Sequence, residues 1–274
     1  MRRREFLSVA SALSLALSLG AQVAPPVRPS RKKGLGLAAK KPAGWSDKVK
    51  ALKPAWVYTW GGTKPEGVPA ETSFTPMVWG YWGQESPITK IGERAKPDGF
   101  RELLGFNEPD GKDQANLSVE KALAAWPILM KTGLRLGSPA CVHPDNDWMK
   151  AFMKGVEERK LRVDFLCMHS YGGLDAEALV RRIQAFSDAH GRRPVWLTEF
   201  AVADWSAKTR EQNRYKPEQV LAFMRKVMPK LESLDCLERH AWFTTHPESA
   251  ALGPSALLDA EGKPTPLGEY FRTL

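Results

Sequence analysis

The chain has 274 residues, of which 43% are hydrophobic and 26% are charged, as is ordinary for a soluble globular protein. Its net charge of +9 is concentrated near the start, because residues 1–24 carry +2 and residues 25–41 carry +6, which leaves +1 for the rest. A nearly neutral body argues against a nucleic-acid-binding face on the domain. The length fits one (β/α)₈ barrel of about 250 residues.

The first 24 residues have the composition of an export signal. Arg2 to Arg4 precede an apolar stretch, Leu7 to Leu19, and the run RREFL resembles a twin-arginine signal. This stretch is too short for a stable membrane span, and an uncleaved N-terminal anchor is the alternative. Residues 25–33 are predicted to be a basic, Pro-rich linker, and residues 34–274 the folded domain. We therefore expect export by a bacterium, to the periplasm or beyond, with no stable membrane span afterwards.

After the linker, short apolar runs alternate with longer segments. Buried parallel strands are short apolar runs bounded by Gly, Pro or polar residues. This pattern predicts eight strands, at Gly34–Ala38, Trp56–Trp60, Phe74–Trp79, Leu103–Asn107, Leu134–Ser138, Asp164–His169, Val195–Glu199 and His240–Thr244.

Capping residues predict six helices among these strands. They are a helix from Ser46 to Leu52, Val119–Lys131 capped by Ser118, Trp148–Lys160 capped by Asp147, Ala176–His190 capped by Asp175, a helix from Pro217 to about Leu231, and a last helix capped by Thr265. Residues 61–73 and 80–100 are predicted to be long loops over the active face. Eight strands that alternate with helices predict an α/β fold, a single closed (β/α)₈ TIM barrel.

Two glutamates stand at strand ends. Glu108 follows the fourth strand, in LLGFNEPD, and Glu199 closes the seventh, in PVWLTEFA. Active sites lie at the carboxyl ends of parallel strands. Two carboxylates are the minimum for breaking a glycosidic bond, and in a retaining enzyme they lie about 5–5.5 Å apart. The pair therefore predicts a glycoside hydrolase, whereas either Glu alone has a salt-bridged or helix-capping carboxylate as its alternative.

Polar and aromatic neighbours of this pair are expected to bind substrate. Asn107, directly before Glu108, is expected to hydrogen-bond the sugar 2-hydroxyl. His169 and Tyr171 lie at the end of the sixth strand. His169 is expected to hold the charge and orientation of the nucleophile, and Tyr171 is expected to hydrogen-bond the substrate. Trp242, in the eighth strand, is expected to form the floor under the sugar at the cleavage site. A purely structural role is the alternative for His169 and for Trp242.

The chain contains ten Trp residues, and several cluster at or just past predicted strand ends. Those expected to line a sugar groove are Trp60, Trp79, Trp82 and Trp205. Indole faces stack well on sugar rings, although barrels also bury Trp beneath their loops.

No metal or cofactor is expected. The His and Cys residues lack zinc spacing, and neither a Gly-rich phosphate loop nor a G-x-S-x-G elbow occurs. Cys141 and Cys167 are predicted near the ends of adjacent strands. A disulfide between them and a pair of buried thiols therefore both remain open.

With these residues in view, the chain resembles glycoside hydrolase family 128. The resemblance runs from about Gly34 to the C-terminus and is carried by FTPMVWG (74–80), LLGFNEPD (103–110), QANLSVEKAL (114–123), LGSPA (136–140), RVDFLCMHSYG (162–172), PVWLTEFA (194–201) and ERHAWFT (238–244). The Asn-Glu-Pro motif alone marks only the clan of barrel glycosidases with catalytic Glu on the fourth and seventh strands.

The resemblance implies internal hydrolysis of β-1,3-glucan with retention of configuration, without a cofactor. It implies that Glu108 is the acid/base and Glu199 the nucleophile. A polysaccharide is the expected partner and a monomer the expected state. A hydrolase of another β-linked glycan, β-1,4 or β-1,6, and a non-catalytic β-glucan-binding barrel remain alternatives.

Two positions depart from the family pattern. Thr59 stands before Trp60, where an Asn is expected, and Ser170 replaces a bulkier residue. Both departures are expected to alter chain-length preference or subsite depth and to leave the pair of Glu intact.

Overall fold

The computed structural model describes residues 30–38 and 44–274. The predicted export signal at residues 1–24 and most of the predicted linker lie outside the described residues. The strands are β1 (Lys33–Gly36), β2 (Trp56–Tyr58), β3 (Ser73–Phe74), β4 (Glu102–Leu103), β5 (Arg135–Leu136), β6 (Leu166–Gly172), β7 (Val195–Val202) and β8 (Leu237–Phe243). The α-helices are α1 (Trp45–Leu52), α2 (Ser86–Asp98), α3 (Val119–Met130), α4 (Asp147–Glu158), α5 (Ala176–Ala189), α6 (Pro217–Ser233) and α7 (Pro266–Thr273).

The eight strands form a ring. Six of them make one parallel sheet in the order β3-β2-β1-β8-β7-β6, and β4 pairs with β5. Single parallel bridges, Met77 with Leu104 and Gly137 with Phe165, join the two sheets at both edges. The predicted (β/α)₈ barrel is therefore confirmed. Strands β3 to β5 are shorter than predicted. Pro76 contributes to this interruption, because Pro has no backbone N–H to donate to a neighbouring strand.

Buried apolar side chains lie in two layers, one inside the ring and one between the strands and the helices. Trp56, Phe165 and Trp196 belong to the interior layer. Leu197 and Trp242 belong to the larger layer beneath the helices. Because successive residues of a strand point to opposite faces, this assignment decides which side chains reach the mouth of the barrel.

The helix caps agree with the sequence at several positions and differ at two. Ser118, Asp175 and Thr265 each accept a hydrogen bond from a backbone N–H in the first turn of α3, α5 and α7. The predicted cap at Ser46 is wrong, since its hydroxyl donates to the Gly67 carbonyl at 2.7 Å. The helix α4 is capped by Asn146, one residue before the expected Asp147.

The predicted loop at residues 80–100 is wrong for most of its length, because α2 occupies Ser86–Asp98. The helix buries only Ile88 and Ile91, so its apolar pattern is weak. Pro87 in its first turn is typical of a helix start, whereas Pro97 near its end is a residue that usually interrupts helices. One face of α2 lies beside the residues that follow β3, and both line the same cavity.

The end of the predicted linker is attached to the barrel. Lys33 already begins β1, and its buried ammonium donates to the carbonyls of Phe271 at 2.9 Å and Leu274 at 2.8 Å. Ser30 donates to Glu232 on α6 at 2.6 Å.

Among the described residues, no helix combines the length and apolarity needed to cross a bilayer. The three Cys are free thiols, so no disulfide joins Cys141 to Cys167.

Candidate active site

A β-bulge in β7 turns Glu199 toward the mouth of the barrel. Met168 of β6 pairs with Leu197, but the next residue, His169, pairs with Glu199, so Thr198 is an extra residue on β7. The pairing of β7 with β8 shifts in the same place. Leu197 lies in the layer beneath the helices, and strict alternation would point Glu199 there as well. The bulge shifts this phase and places the carboxylate inside the ring.

Glu108 occupies a left-handed backbone conformation just beyond β4. Its φ is 42°, which non-glycine residues rarely adopt and which costs of order 1–3 kcal/mol. The N–H of Glu108 donates to the Ala140 carbonyl at 2.7 Å and fixes this turn. Its side chain is 15% exposed, so the carboxylate reaches the cleft while most of its surface is covered.

The two carboxylates face each other across one imidazole. His169 Nδ1 lies 2.9 Å from Glu108 Oε1, and His169 Nε2 lies 3.3 Å from Glu199 Oε1. One oxygen of Glu108 and one of Glu199 lie within 4.8 Å of each other. This separation fits a retaining glycosidase and is shorter than the gap of about 6.5–9.5 Å that an inverting enzyme needs for its water.

Three protonated groups contact the Glu199 carboxylate. Trp60 Nε1 donates to Oε1 at 2.8 Å, and the Tyr171 hydroxyl donates to Oε2 at 2.6 Å. The Tyr58 hydroxyl lies 3.2 Å from Oε1 and 2.9 Å from the Thr198 carbonyl, so these two acceptors share its one proton. Burial, reinforced by the Glu199 charge, raises the pKa of both tyrosines well above its ordinary value. Both hydroxyls therefore stay protonated and hold the carboxylate in one orientation.

The charges around His169 favour its protonated form. Burial alone acts to lower the pKa of His169. The Glu199 carboxylate and the hydrogen bond to Glu108 outweigh burial and raise this pKa above its ordinary value of 6.5. A charged imidazole between the two glutamates reduces the repulsion between their carboxylates. These three side chains also bring ligand atoms close enough for a metal ion, but the hydrogen bond between His169 and Glu108 and the attraction of the charged ring to Glu199 account for the cluster.

The site opens into a cleft of about 660 Å³. Its walls include most of the residues that the sequence analysis singled out, namely Trp60, Trp79, Asn107, Glu108, His169, Tyr171, Glu199 and Trp205. Trp82 is 64% exposed and lines an adjoining cavity of about 410 Å³, which shares Trp60 and Trp79 with the cleft. The rings of Trp79 and Trp82 stack with centroids 5.9 Å apart. Aromatic faces thus continue from the carboxylates along one side of the barrel mouth.

The expected position of Trp242 beneath the sugar is wrong. Trp242 is fully buried between β8 and the helices, where its Nε1 donates to the Ser255 carbonyl at 3.0 Å and its ring packs against Phe200. Ala241 lies in the barrel interior, and alternation along the strand then turns Trp242 outward. The next residue, Phe243, lines the cleft instead.

Asn107 retains one free polar atom in the cleft. Its Nδ2 donates to Gln114 Oε1 at 3.1 Å, while its buried Oδ1 has no hydrogen-bond partner in the described part of the chain. A buried acceptor without a partner is costly and is suited to a ligand donor. Gln114 could not be foreseen from the sequence, because only the turn after Glu108 brings it back to the strand end. Tyr58 was not predicted to belong to the site, although it stands two positions before Trp60 in β2.

The barrel and the facing pair of carboxylates define a glycoside hydrolase. The family model described as glycosyl hydrolase catalytic core matches residues 35–271. A crystal structure of a subgroup I endo-β-1,3-glucanase of glycoside hydrolase family 128 from Amycolatopsis mediterranei, in complex with laminarihexaose, is 35% identical, with a TM-score of 0.75. The similarity covers 89% of this chain and 99% of that one. The chain belongs to glycoside hydrolase family 128.

Two further relatives are more distant. A subgroup III curdlan-specific exo-β-1,3-glucanase from Blastomyces gilchristii is 28% identical over 90% of this chain and 100% of that one, with a TM-score of 0.70. The Alkali-sensitive linkage protein 1 of Schizosaccharomyces pombe is 28% identical over 251 residues, which are 88% of this chain. The match spans 44% of that protein, so this chain corresponds to about half of the curated relative.

Proposed function

We propose that the protein cleaves β-1,3-glucan internally and with retention of configuration. The observation that carries this proposal is the approach of Glu108 and Glu199 to within 4.8 Å across His169 in an open, aromatic-lined cleft. The endo-β-1,3-glucanase from Amycolatopsis mediterranei, with its laminarihexaose complex, supports the choice of polymer. An open cleft also suits attack within a chain, because a blind pocket would admit only chain ends.

In the first step, Glu199 acts as the nucleophile and Glu108 as the acid. A Glu199 oxygen bonds to the anomeric carbon, the glycosidic C–O bond breaks, and the leaving oxygen takes the proton of Glu108. Trp60, Tyr58 and Tyr171 hold the attacking carboxylate in place. The cost of orienting the nucleophile is therefore met before substrate binds.

In the second step, Glu108 acts as the base. It takes a proton from a water molecule, whose oxygen attacks the anomeric carbon and displaces Glu199. The free oxygen Oδ1 of Asn107 is placed to accept a hydrogen bond from a sugar hydroxyl. The product sugar keeps the β configuration, because two inversions take place in succession.

Reducing-sugar release by purified residues 25–274 tests the polymer and the mode of attack. Laminarin, a β-1,4-glucan and a β-1,6-glucan are compared, and product lengths are followed from the first minutes. We expect turnover on laminarin alone, with oligosaccharides of mixed length as early products. Cleavage of another linkage would reassign the polymer, and release of glucose alone would indicate exo action. Tight binding to laminarin without any release would support the non-catalytic alternative.

We also propose that residues 1–24 export the domain from a bacterial cell as a twin-arginine signal, that residues 25–33 link it to the barrel, and that the barrel acts as a monomer. The basic start and the RREFL run support this assignment. Exchange of Arg3 and Arg4 for Lys should leave the protein in the cytoplasm of an expressing bacterium. Unchanged appearance outside the cytoplasm would contradict the twin-arginine route, and light scattering of the purified domain tests the monomer.

A further inference from the structure

The guanidinium of Arg182 borders the catalytic cleft. Arg182 lies in the second turn of α5, and its Nη2 donates to Ser170 Oγ at 2.5 Å. Among the described residues this is its one hydrogen bond, and no carboxylate lies within ion-pair distance of it. Guanidinium carries five N–H donors, so most of its donors face solvent at the cleft.

Arg182 marks the place where the cleft extends beyond the catalytic residues. It lines the cleft together with His143 and Pro144, which belong to the loop between β5 and α4. Two smaller depressions adjoin it, one of about 290 Å³ beside Gly173 and one of about 380 Å³ beneath the His143 loop, and Arg182 lines both. The groove therefore continues past Arg182 on the side of β5 and β6.

This end of the groove lies opposite the Trp-rich end. A glucan chain that is cleaved must pass between Glu108, after β4, and Glu199, on β7. Strands β5 and β6 flank one end of that path, and β8 with β1 to β3 flank the other. Trp60 and Trp79 belong to the second end. Arg182 belongs to the first, where its exposed side chain lies at the wall of the cleft.

We propose that Arg182 is a specificity-determining residue that donates hydrogen bonds to hydroxyls of a glucosyl unit at the β5–β6 end of the cleft. The planar fork of Arg matches two adjacent oxygen acceptors, as neighbouring sugar hydroxyls provide. Ser170 fixes the side chain, so little conformational freedom is lost on binding. This inference rests on the proposed β-glucan hydrolase function and assigns a residue that makes longer chains bind more tightly than short ones.

A neutral glycan fits this position better than an anionic one. The nucleophile Glu199 attacks as a carboxylate in the same cleft, and its negative charge repels a polymer that carries negative groups. The guanidinium is exposed, and an exposed ion pair is worth little in water. The hydroxyl groups of a neutral glycan avoid this electrostatic repulsion and can still accept hydrogen bonds from the free donors of Arg182.

The test uses β-1,3-gluco-oligosaccharides from the trisaccharide to the octasaccharide. Binding to Glu199→Gln is measured by calorimetry with and without Arg182→Met, and kcat and KM are measured with the native nucleophile. Arg181→Met is the matched control, because Arg181 is also exposed on α5 but does not line the cleft. We expect Arg182→Met to weaken octasaccharide binding and raise its KM about fivefold to tenfold, the effect of losing one or two hydrogen bonds. We expect trisaccharide binding to change by less than about twofold, and Arg182→Lys to be intermediate.

Three results would overturn the assignment. Identical chain-length profiles for Arg182→Met and Arg181→Met would show that Arg182 makes no sugar contact. An equal loss at every chain length, with a lowered Tm, would assign it a structural role between α5 and β6. A loss confined to carboxymethylated β-1,3-glucan, assayed beside the neutral oligosaccharides, would assign Arg182 to anionic groups. If the wild type cleaves no β-glucan, the proposed function fails as a whole, whereas turnover with an unaltered Arg182→Met profile contradicts this inference alone.

Discussion

The imidazole of His169 and the carboxylate of Glu108 share a hydrogen bond of 2.9 Å between Nδ1 and Oε1. The other ring nitrogen, Nε2, lies 3.3 Å from Glu199, although without hydrogen-bond geometry. One buried ring thus contacts both carboxylates of the proposed reaction. A change in the charge of either carboxylate is therefore felt by the ring, and the reverse also holds.

The charge of His169 is the first consequence to test. We expect its pKa, measured by NMR on His-labelled protein, to lie above 6.5, because the glutamates outweigh its burial. Glu199→Gln and Glu108→Gln should each lower it, since each removes a negative charge. Since the folded-state pKa is raised, the charged ring stabilises the fold below about pH 6.5, and this contribution is lost as the pH rises through the folded-state pKa. A pKa at or below 6.5 in the unmutated protein would contradict this description.

The hydroxyl of Tyr171 gives a second prediction. It donates to Glu199 Oε2 at 2.6 Å, and Tyr171→Phe removes this donor while it keeps the ring. A hydrogen bond to a charged group is worth about 1.5–3 kcal/mol, so we expect kcat to fall roughly tenfold to a hundredfold. Tyr270→Phe, on α7 and far from the cleft, is the matched control. Equal kcat values in the two variants would remove Tyr171 from the group that orients the nucleophile.

The acid/base role of Glu108 can be separated from the nucleophilic role of Glu199. In Glu108→Ala, natural glucan lacks its proton donor, and we expect its cleavage to fall by a factor of about 10² to 10⁴. An aryl β-glycoside with a good leaving group should still form the glycosyl-enzyme and give a burst. Azide needs no base and should restore turnover with a β-glycosyl azide as product. Failure of azide to rescue Glu108→Ala on the aryl substrate would argue against this role.

Stacking of a sugar ring on Trp205 can be tested by a substitution that leaves the fold intact. It is 62% exposed and lies edge-on to Tyr171, with centroids 5.3 Å apart, at the wall of the cleft. We expect Trp205→Ala to raise KM for laminarin several-fold through loss of stacking area, while the free energy of unfolding changes by less than about 0.5 kcal/mol. A KM equal to that of the wild type would place the glucan elsewhere in the cleft.

The barrel and the catalytic pair could be predicted from the sequence, because both depend on local signals. Short apolar runs and caps such as Ser118 and Asp175 mark the elements, and a polar residue after an apolar run marks a strand end. The inward direction of the Glu199 side chain does not follow from such local signals. It depends on the extra residue Thr198 in β7, which only the register with β6 and β8 reveals. The sequence led to the right residue although the bulge that aims it was not foreseen.

The same reasoning explains the error at Trp242. A hydrophobic run such as AWF does not show which of its side chains point into the barrel, since both faces of a barrel strand are buried. The choice between Trp242 and Phe243 therefore required the pairing of β8 with its neighbours. Arg182 was missed for a related reason, because it reaches the cleft from a helix and only packing of α5 against β6 brings it beside Ser170.

The most direct test of the central claim is the configuration of the first product. Proton NMR of laminarihexaose during the first minutes of cleavage distinguishes the new β-anomer from the α-anomer before they interconvert. Two successive displacements at the anomeric carbon, the first by Glu199 and the second by water, predict that the β-anomer appears first. Glu199→Gln, with an unchanged fold, is expected to release almost no product. Initial formation of the α-anomer, or turnover like the wild type in Glu199→Gln, would contradict a retaining mechanism with Glu199 as the nucleophile.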